Sequence, residues 1–559
     1  MSPRRRALVA SLLCAAGLAA CAPENRPPSG SPEPLLSRDL SPQEFQLLTD
    51  REKVRYRNVV LRIPDAWGGG MLPLSRGPYP DVLEKAVHTG ELEALMAYYN
   101  RAQFELEHPR VRVEFINFDM WSLHFRSMLA VALAANRAPA VYIAKDLPHT
   151  IEQGMFADIT ELVKEWDRAH EQPESARRDG TVDGRTYTIS HNEFGGSLIR
   201  YRKDWFREAG ILNEHGEPGP RSDWTWDDFR AICKELTDPA KKRWGFAGQT
   251  NDFFYQDAYG IRPYIPDRSG KRTWRFNDQD PRMLESLKAA RAMVREDQSI
   301  ATSVTMGWFE SHGEFDAGRA AMISSFSPHI AREFLEQPDK FGKDKPFGET
   351  VGMALPPRGP TGHSGFKIVT NPFGFDPTLD KEQLRAAFDW TKSLFYGDIF
   401  ENYLRAVNQK EKALGKRSFT YQVLLTTPYS YDPKLLDRPL SEVFPGDYLR
   451  IYDVIRKSPA PPLPREFGLR EPPITEWESA IRALYSEAVL SPSVDLEALL
   501  RRTADMFNRT ILDFRTEGDR EKLERYYDTL GEYYRKNFPR YYREEWPGLY
   551  ERYYRVAAP

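Results

Sequence analysis

Cysteine is scarce in this sequence, with three residues in a chain of 559. Cys14 lies inside an amino-terminal apolar segment and Cys21 follows that segment, so Cys233 alone belongs to the body of the chain. The sequence therefore predicts no intrachain disulfide, and it shows no Cys/His cluster that would hold a metal. Phe229 and Leu236 lie at helical spacing from Cys233, which favours a buried, inert thiol over a nucleophile or a metal ligand.

An excess of charge of either sign is also absent. The chain has 78 Lys and Arg residues against 81 Asp and Glu residues, which gives a net charge of −3. Without a polybasic surface, nucleic acid is not an expected partner. Aromatic residues, by contrast, make up 13% of the chain, which suits large cores and also suits recognition of flat apolar ring faces.

The sequence lacks the motifs of the common hydrolases and nucleotide-binding enzymes. It contains no G-x-S-x-G elbow, no H-E-x-x-H helix and no P-loop. The run Gly362–Gly365 resembles an elbow only superficially, because Phe366 occupies the place of the second glycine. Acidic residues are numerous enough to supply the paired carboxylates of a glycosidase, but nothing in the sequence selects a pair. We therefore expect a protein that is not an enzyme and needs neither a cofactor nor a metal.

A long apolar run occurs only near the amino terminus. Arg4–Arg6 precede the apolar stretch Ala7–Gly17, which is shorter than the ~20 residues of a membrane-spanning helix and predicts an export signal. Leu18–Cys21 resembles the lipobox of bacterial lipoproteins, in which the chain is cut before a cysteine that carries a diacylglycerol. The resemblance implies a signal peptide at 1–20, lipidation of Cys21 and a disordered Pro/Ser/Gly-rich tether at 21–40. The alternative is a plain secretory signal with an incidental cysteine.

Strand and helix patterns alternate after the tether. Val59–Ile63 predicts a strand, apolar residues recur at helical spacing from Leu92 to Leu106, and Val111–Phe115 alternates as a second strand does. A helix over Leu123–Leu133 then precedes a third strand at Pro139–Ile143. Strands separated by single helices predict right-handed crossovers and a largely parallel α/β sheet, in which ligands bind beyond the carboxyl ends of the strands. The candidates at those ends are Asp65, Trp67, Asp119, Trp121 and Asp146.

A helix start is predicted at Thr225–Asp228, which has the spacing of a capping box, with Trp224 and Phe229 placed as a hydrophobic staple. The proline-rich run Pro459–Pro464 predicts a stiff surface linker or a loop that crosses the fold. Further predicted elements are a strand at Trp244–Ala247 and helices at Met283–Glu296, Phe315–Met322 and Gln383–Leu404.

The chain ends in a segment rich in Tyr, Arg and Glu that begins at Arg520. Its paired tyrosines fall at 526/527, 533/534, 541/542 and 553/554. This spacing favours an amphipathic helix strapped to the body of the protein, and the alternative is a partner-binding appendage.

A series of sequence blocks follows in a characteristic order: Pro109–Val113 leading to Trp121, Ala134–Val141, Gly154–Thr160, Gly184–Tyr187 with Arg200–Ile211, Trp224–Phe229, Phe315–Met322 and Val351–Pro360. In this order the blocks resemble the extracellular solute-binding proteins of bacterial ABC importers, in the sugar-binding family related to maltose-binding protein. The resemblance covers about Val59 to Leu512. Ala140 stands where that family usually has aspartate, and Arg202 where asparagine is common.

The resemblance implies a type II periplasmic-binding-protein-like fold, in which two α/β lobes joined at a hinge close on a ligand in the cleft. The first lobe would begin at 55–185, the second would occupy 186–350, and return segments at 351–512 would complete both. A helical C-terminal extension would follow at 513–559. The resemblance adds ligand-binding candidates for the second lobe: His191, Asn192, Glu193, Tyr255, Trp308, Ser325, Phe326, His363 and Phe366.

Sugar chemistry gives these residue types a purpose. Aromatic rings cover the apolar C–H faces of a sugar, while carboxylates, amides and imidazoles bond its hydroxyls. Trp121 and Trp308 are the expected stacking residues, Asp146 an expected hydroxyl acceptor, and His191 and His363 expected hydrogen-bonding residues. The alternatives are core packing for each tryptophan, a helix cap for Asp146 and a structural role for each histidine.

The predicted function is that of an extracytoplasmic receptor in the bacterial cell envelope, anchored by lipid at Cys21. It would bind a carbohydrate, an oligosaccharide or a related polyol, and present it to the permease subunits of an ABC importer. One alternative is a tethered sensor or scaffold subunit with the same fold. A lipoprotein glycosidase is the other.

Overall fold

The computed structural model describes residues 42–49, 52–53, 56–64, 101–120, 124–144, 147–172, 174–190, 194–196, 198–248, 261, 264–301, 308–325, 330, 333–335, 337–359, 367–370, 372–394, 396–413, 415, 439–457, 459, 461–472, 474–510 and 518–556. The chain divides into two compact units, residues 1–58 and residues 59–559.

The strands are β1 (Val59–Pro64), β2 (Val111–Ile116), β3 (Val141–Ile143), β4 (Thr181–Val182), β5 (Arg185–Thr186), β6 (Thr188–Ile189), β7 (Phe194–Gly196), β8 (Leu198–Arg202), β9 (Trp244–Ala247), β10 (Tyr264–Pro266), β11 (Trp274–Phe276), β12 (Ala320–Ser325), β13 (Val351–Ala354), β14 (Lys367–Val369) and β15 (Phe373–Phe375).

The helices are α1 (Pro42–Gln46), α2 (described over 101–107), α3 (Phe125–Ala134), α4 (Leu147–Glu152), α5 (Thr160–Glu165), α6 (Glu174–Asp179), α7 (Lys203–Glu208), α8 (Trp226–Glu235), α9 (Pro281–Arg295), α10 (Trp308–Asp316), α11 (Phe347–Thr350), α12 (Lys381–Ser393), α13 (Asp398–Ala413), α14 (Gly446–Lys457), α15 (Ile474–Leu490), α16 (Leu496–Thr510), α17 (Asp519–Asn537), α18 (Pro539–Glu544) and α19 (Trp546–Leu549).

In the unit formed by residues 1–58, the described part is α1 and a few residues after it. The rings of Phe45 and Tyr56 are buried, with their centroids 5.9 Å apart. The guanidinium carbon of Arg57 lies 4.9 Å from the centre of the Phe45 ring. The signal peptide at 1–20, the lipidated Cys21 and the tether at 21–40 fall outside the described residues and stay predictions.

The first lobe is the body built around β1, β2, β3, β6 and β15. β1 and β2 run parallel, with Val59 opposite Val111, and residues of β1 alternate between buried and half-buried as a strand at a core face does. β15 pairs antiparallel with both β3 and β6. The N–H of Ala140 donates to the carbonyl of Arg62 at 2.6 Å, which joins the two groups of strands.

The prediction of a largely parallel sheet is therefore right for β1 with β2 and wrong for the pairs of β15. The reason lies in the path of the chain. β15 follows a long excursion through the second lobe and enters the first-lobe sheet in the opposite direction.

The second lobe is the body built around a four-stranded sheet in the order β13-β8-β12-β9. β8 runs antiparallel to both of its neighbours, and β12 runs parallel to β9. Alternate residues enter separate cores, because Ile199 and Met322 pack among α8, α9, α15 and α16, whereas Leu198 and Ile323 pack against α10, α11 and α14. Helices thus cover both faces of this sheet.

Two helix predictions are wrong in this region. Where a helix was predicted over Phe315–Met322, α10 ends at Asp316 and Ala320–Ser325 forms β12. Gly318, with φ of 69°, turns the chain between them, and the small apolar run suits a strand buried on both faces. The single helix predicted over Gln383–Leu404 is two helices, α12 and α13, separated at Gly397, whose φ is 91°.

The predicted start of α8 is confirmed in detail. Thr225 Oγ1 accepts from the N–H of Asp228 at 3.2 Å, and Asp228 Oδ2 accepts from the N–H of Thr225 at 2.7 Å. The rings of Trp224 and Phe229 meet edge to face, with centroids 5.7 Å apart. Cys233, on the same helix, is fully buried as predicted, and burial raises the pKa of its thiol.

The C-terminal cap, residues 518–556, is helical and packs on the second lobe. One side of the cap covers Trp274 and Ile265 of the β10–β11 hairpin, together with Leu469. Most of its paired tyrosines are buried, and Tyr554 lies close enough to the buried Asp280–Arg282 ion pair to interact with both charges. The structure thus confirms the amphipathic strap interpretation of the Tyr-rich segment.

None of the helices in the described part of the chain has both the length and the apolar content needed to cross a membrane.

Candidate functional site

Two short strands connect the lobes. β7 lies between β6 of the first lobe and β8 of the second, and β14 lies between β13 of the second lobe and β15 of the first. They pair antiparallel, with Phe194 opposite Val369 and Gly196 opposite Lys367. We call β7 and β14 the hinge pair, because a narrow two-stranded connection between separately packed bodies lets those bodies rotate about it.

Several predicted ligand-binding residues occupy sequence positions next to the hinge pair. His191, Asn192 and Glu193 fall between β6 and β7, while His363 and Phe366 precede β14. These five residues lie outside the described residues, so their role stays a prediction.

Ser325 is the predicted site residue that the structure places most informatively. It is the last residue of β12 and pairs with Leu198, the first residue of β8 after the hinge pair. Its side chain is 2% exposed, and among the described residues no donor or acceptor hydrogen-bonds its Oγ. A buried hydroxyl of this kind costs ~1–3 kcal/mol unless a further polar group satisfies it. The base of the second lobe next to the hinge thus holds a polar group with unused bonding capacity.

Asp119 is the other predicted site residue that the structure describes. It is exposed in the segment that follows the carboxyl end of β2, where strand-end ligand residues are expected. No hydrogen bond between described residues joins it to Ser325. Trp308 begins α10, but nothing is described of its side chain. The remaining candidates lie outside the described residues: Asp65, Trp67, Trp121, Asp146, Tyr255 and Phe326.

The sequence patterns did not predict an ionic network around the buried Arg200, which lies on the strand that pairs with Ser325. Arg200, in the centre of β8, is fully buried and its Nη2 lies 2.7 Å from Glu333 and 3.2 Å from Asp316. Lys340 completes the network at 2.8 Å from Glu333 and 2.7 Å from Asp316. The Arg200 guanidinium also lies 4.5 Å from the centre of the Phe315 ring. The signal available in the sequence was an arginine between Ile199 and Tyr201 at the centre of the strand LIRYR.

The positive charges of this network keep the Glu333 carboxyl ionised. Burial alone would raise the pKa of Glu333, but Arg200 and Lys340 outweigh burial and lower it. Glu333 therefore stays ionised at neutral pH. The network ties β8, the strand that follows the hinge pair, to Asp316 at the end of α10 and to Glu333.

The first lobe contains a separate cavity of about 620 Å³. It lies between the end of α2, the segment after α5 and the α12–α13 junction, and it includes Trp166, Arg168 and Lys392. Its arginine and lysine side chains, Arg168 and Lys392, already have close partners, since Arg168 lies 2.6 Å from Glu171 and Lys392 lies 2.6 Å from Asp389. None of the lining residues belongs to the hinge pair or to the predicted ligand site.

Within the described ranges, no group of three or more His, Cys, Asp or Glu side chains has an arrangement that would hold a metal ion.

The family described as bacterial extracellular solute-binding protein matches residues 85–390, more than half of the chain. No curated protein sequence matches the chain.

Solved structures with low sequence identity share the fold. An ABC substrate-binding protein from Listeria monocytogenes in complex with cycloalternan is 17% identical, with a TM-score of 0.55 over 81% of this chain and 98% of its own. The GacH receptor of Streptomyces glaucescens, solved unliganded and with acarbose, is 17% identical, with a TM-score of 0.53 over 82% and 99% of the two chains. MalE from Bdellovibrio bacteriovorus, bound to maltotriose, is 14% identical, with a TM-score of 0.53 over 81% and 100%. The two-lobed type II fold is thereby confirmed.

Proposed function

Because the chain belongs to the family of bacterial extracellular solute-binding proteins, we propose that it is a receptor that binds a carbohydrate by closure of its two lobes. The observation that carries this function is the hinge pair, which joins two separately packed lobes. A ligand that contacts both lobes binds the closed arrangement more tightly and so shifts the population toward it.

An oligosaccharide or a related polyol is the proposed ligand class. Three similar structures were solved with cycloalternan, acarbose and maltotriose, and others with ribitol and D-mannitol, which supports this class. In the cleft, Trp121 and Trp308 stack on the C–H faces of the sugar, and Asp119, Asp146 and Ser325 bond its hydroxyls. The other residues of the proposed site are Asp65, Trp67, His191, Asn192, Glu193, Tyr255, Phe326, His363 and Phe366.

The proposal includes no chemical change of the ligand. A lipid at Cys21 anchors the receptor on the outer side of the membrane, and residues 21–40 space it from the bilayer. The closed form is then presented to the permease subunits of an ABC importer. Residues 55–185 begin the first lobe, which also takes in β6; the rest of 186–350 forms the second lobe, 351–512 complete both and 513–559 form the extension.

A tethered sensor or scaffold subunit is the second candidate. The C-terminal cap favours it, because a large ordered addition on the second lobe offers surface that ligand capture alone does not need.

The deciding experiment is thermal unfolding of the purified protein with a panel of oligosaccharides and polyols. We expect at least one to raise the Tm, since a ligand at roughly 100 times its Kd adds about 2.7 kcal/mol to the stability of the folded state. Mass spectrometry should recover that ligand unchanged after hours of incubation. A flat response to the whole panel contradicts the receptor function and leaves the sensor or scaffold, whereas cleavage of the ligand would reveal an enzyme.

A further inference from the structure

A segment outside the hinge pair also links the two lobes. Residues 461–471 lie between α14 and α15, which both pack in the second lobe. Their side chains nevertheless bind α6 of the first lobe. Arg465 Nη2 lies 2.8 Å from Asp179 Oδ1, and Glu466 accepts two hydrogen bonds from Arg178, of which the one from Nη2 measures 2.7 Å. Arg178 Nη2 also donates to the carbonyl of Pro461 at 3.0 Å.

A second attachment to the first lobe lies further along the same segment. Arg470 Nη2 is 2.7 Å from Glu152 Oε2, at the end of α4. Gly468 comes close to the first lobe as well, because a Cβ placed on it would lie 3.1 Å from Asp183 Oδ1. The segment therefore binds the first lobe at both of its ends.

The opposite side of residues 461–471 is fixed to the second lobe and to the C-terminal cap. Trp274 Nε1 donates to the carbonyl of Arg470 at 2.6 Å, and Lys522 Nζ donates to the carbonyl of Gly468 at 3.0 Å. The ring of Phe467 meets that of Tyr526 with centroids 5.7 Å apart. Because aromatic packing and backbone acceptors hold this side, the segment moves with the second lobe.

One of these ion pairs, Arg465–Asp179, also contacts the residue that follows the hinge pair. Asp179 accepts from Arg465 through Oδ1 and from Thr370 Oγ1 through Oδ2, the latter at 2.9 Å. Thr370 directly follows β14. Arg465 is 9% exposed and also lies 3.3 Å from Glu471, so water screens this cluster less than it screens surface pairs.

We propose that residues 461–471 form an interlobe brace, attached to the second lobe and latched to the first lobe by the Arg178–Glu466 and Arg465–Asp179 ion pairs. The proposal rests on the lobe closure of the proposed function and adds a regulator to it. Rotation about the hinge pair changes the distance between the brace and α6, so the latch stabilises one range of lobe positions at the expense of others. Among the described residues, the lobes are thus joined at the hinge pair and at the latch, with Arg470–Glu152 as a further attachment.

The test measures the distance between the lobes without any ligand. Spin labels are placed at Ser127→Cys on α3 and Lys288→Cys on α9, both exposed positions, in a full-length protein that also carries Cys14→Ser and Cys21→Ser, while Cys233 is buried. Pulsed dipolar spectroscopy then gives the distribution of distances. We expect a narrow distribution in the parent protein, and a distribution about twofold broader in Glu466→Arg and in Arg178→Glu, because each replaces one ion pair of the latch by two like charges and so weakens the bias on the lobe equilibrium.

Two further variants separate the latch from a general loss of structure. The double variant Arg178→Glu with Glu466→Arg restores an ion pair of reversed polarity and should restore the narrow distribution. Arg502→Met removes an exposed ion pair of 2.6 Å with Glu487 inside the second lobe and should change nothing. Single variants with the parent distribution, or a double variant as broad as the singles, would overturn the brace. Since no ligand is present, either result stands apart from the saccharide test of function.

Discussion

At the scale of single residues, Ser325 offers the sharpest test of the binding site. Its buried Oγ has no hydrogen-bond partner within the described part of the chain. We expect Ser325→Ala to weaken saccharide binding about 2- to 10-fold, which corresponds to one net hydrogen bond of about 0.5–1.5 kcal/mol. Ser324→Ala, on the same strand, is the matched control and should leave the Kd unchanged. Isothermal titration calorimetry measures the saccharide Kd of the parent protein and of both variants. If the Kd of Ser325→Ala equals that of the parent, Ser325 does not belong to the binding site.

Glu333 tests the ionic network that supports the site. Its pKa is lowered because Arg200 and Lys340 outweigh the effect of burial. An acid with a lowered folded-state pKa adds stability above its unfolded value, about 4.3 for Glu, and that stability is lost as the pH falls through the folded value. We expect Glu333→Gln to lower the free energy of unfolding at pH 7 by about 2 kcal/mol, since it removes one of the two carboxylates that the buried Arg200 shares with Lys340 and leaves both cations with Asp316.

The pH dependence distinguishes this effect from a packing defect. The difference between the parent protein and Glu333→Gln should shrink as the pH falls below about 4, because the parent then protonates Glu333 as well. Urea unfolding at several pH values measures it. Glu497→Gln, at an exposed position on α16, is the control and should stay within about 0.5 kcal/mol of the parent. A gap that is constant with pH would assign the loss to packing.

At the scale of elements, the second-lobe sheet depends on one close approach between strands. Gly352 in β13 lies opposite Tyr201 in β8, and a Cβ added at Gly352 would overlap the Tyr201 ring. We expect Gly352→Ala to destabilise the protein by about 1–3 kcal/mol, as overpacking of a core does. Gly313→Ala in α10 is the control, because a Cβ there meets open space. Alanine forms helices better than glycine does, so this variant should raise the free energy of unfolding by as much as about 1 kcal/mol. Denaturant unfolding compares them, and equal effects would contradict this account.

The elements also show where sequence patterns succeed and fail. The start of α8 could be predicted because its capping box and staple involve residues within five positions of one another. The strand conformation of Ala320–Ser325 could not be predicted, because a short apolar stretch fits a buried helix and a buried strand equally well. The direction of β15 was beyond prediction too, since it depends on a chain path set by another lobe.

At the scale of the whole molecule, the two-lobed fold could be predicted because ordered sequence blocks carry it over most of the chain. The site could be predicted only as strand ends and flanking segments, with Ser325 the candidate that the structure places beside the hinge pair. The Arg200 network and the brace could not be predicted from the sequence, because each joins residues far apart in sequence. Arg465 meets Asp179, for example, 286 positions away. For Pro459–Pro464, the alternative of a loop crossing the fold agrees with the contacts of Pro461.

The interleaved path of the chain has a consequence for how the protein is made. The first lobe needs β15, which follows the whole second-lobe sheet, and the second lobe needs the cap at the end of the chain to cover Trp274. Because synthesis proceeds from the amino end, neither lobe is complete while much of the chain is still missing. Strands β3 and β6 are made early, whereas β15, which pairs with both of them, is made only after the second-lobe sheet. For most of its synthesis, the new chain therefore has incompletely folded lobes whose exposed apolar surface chaperones can bind.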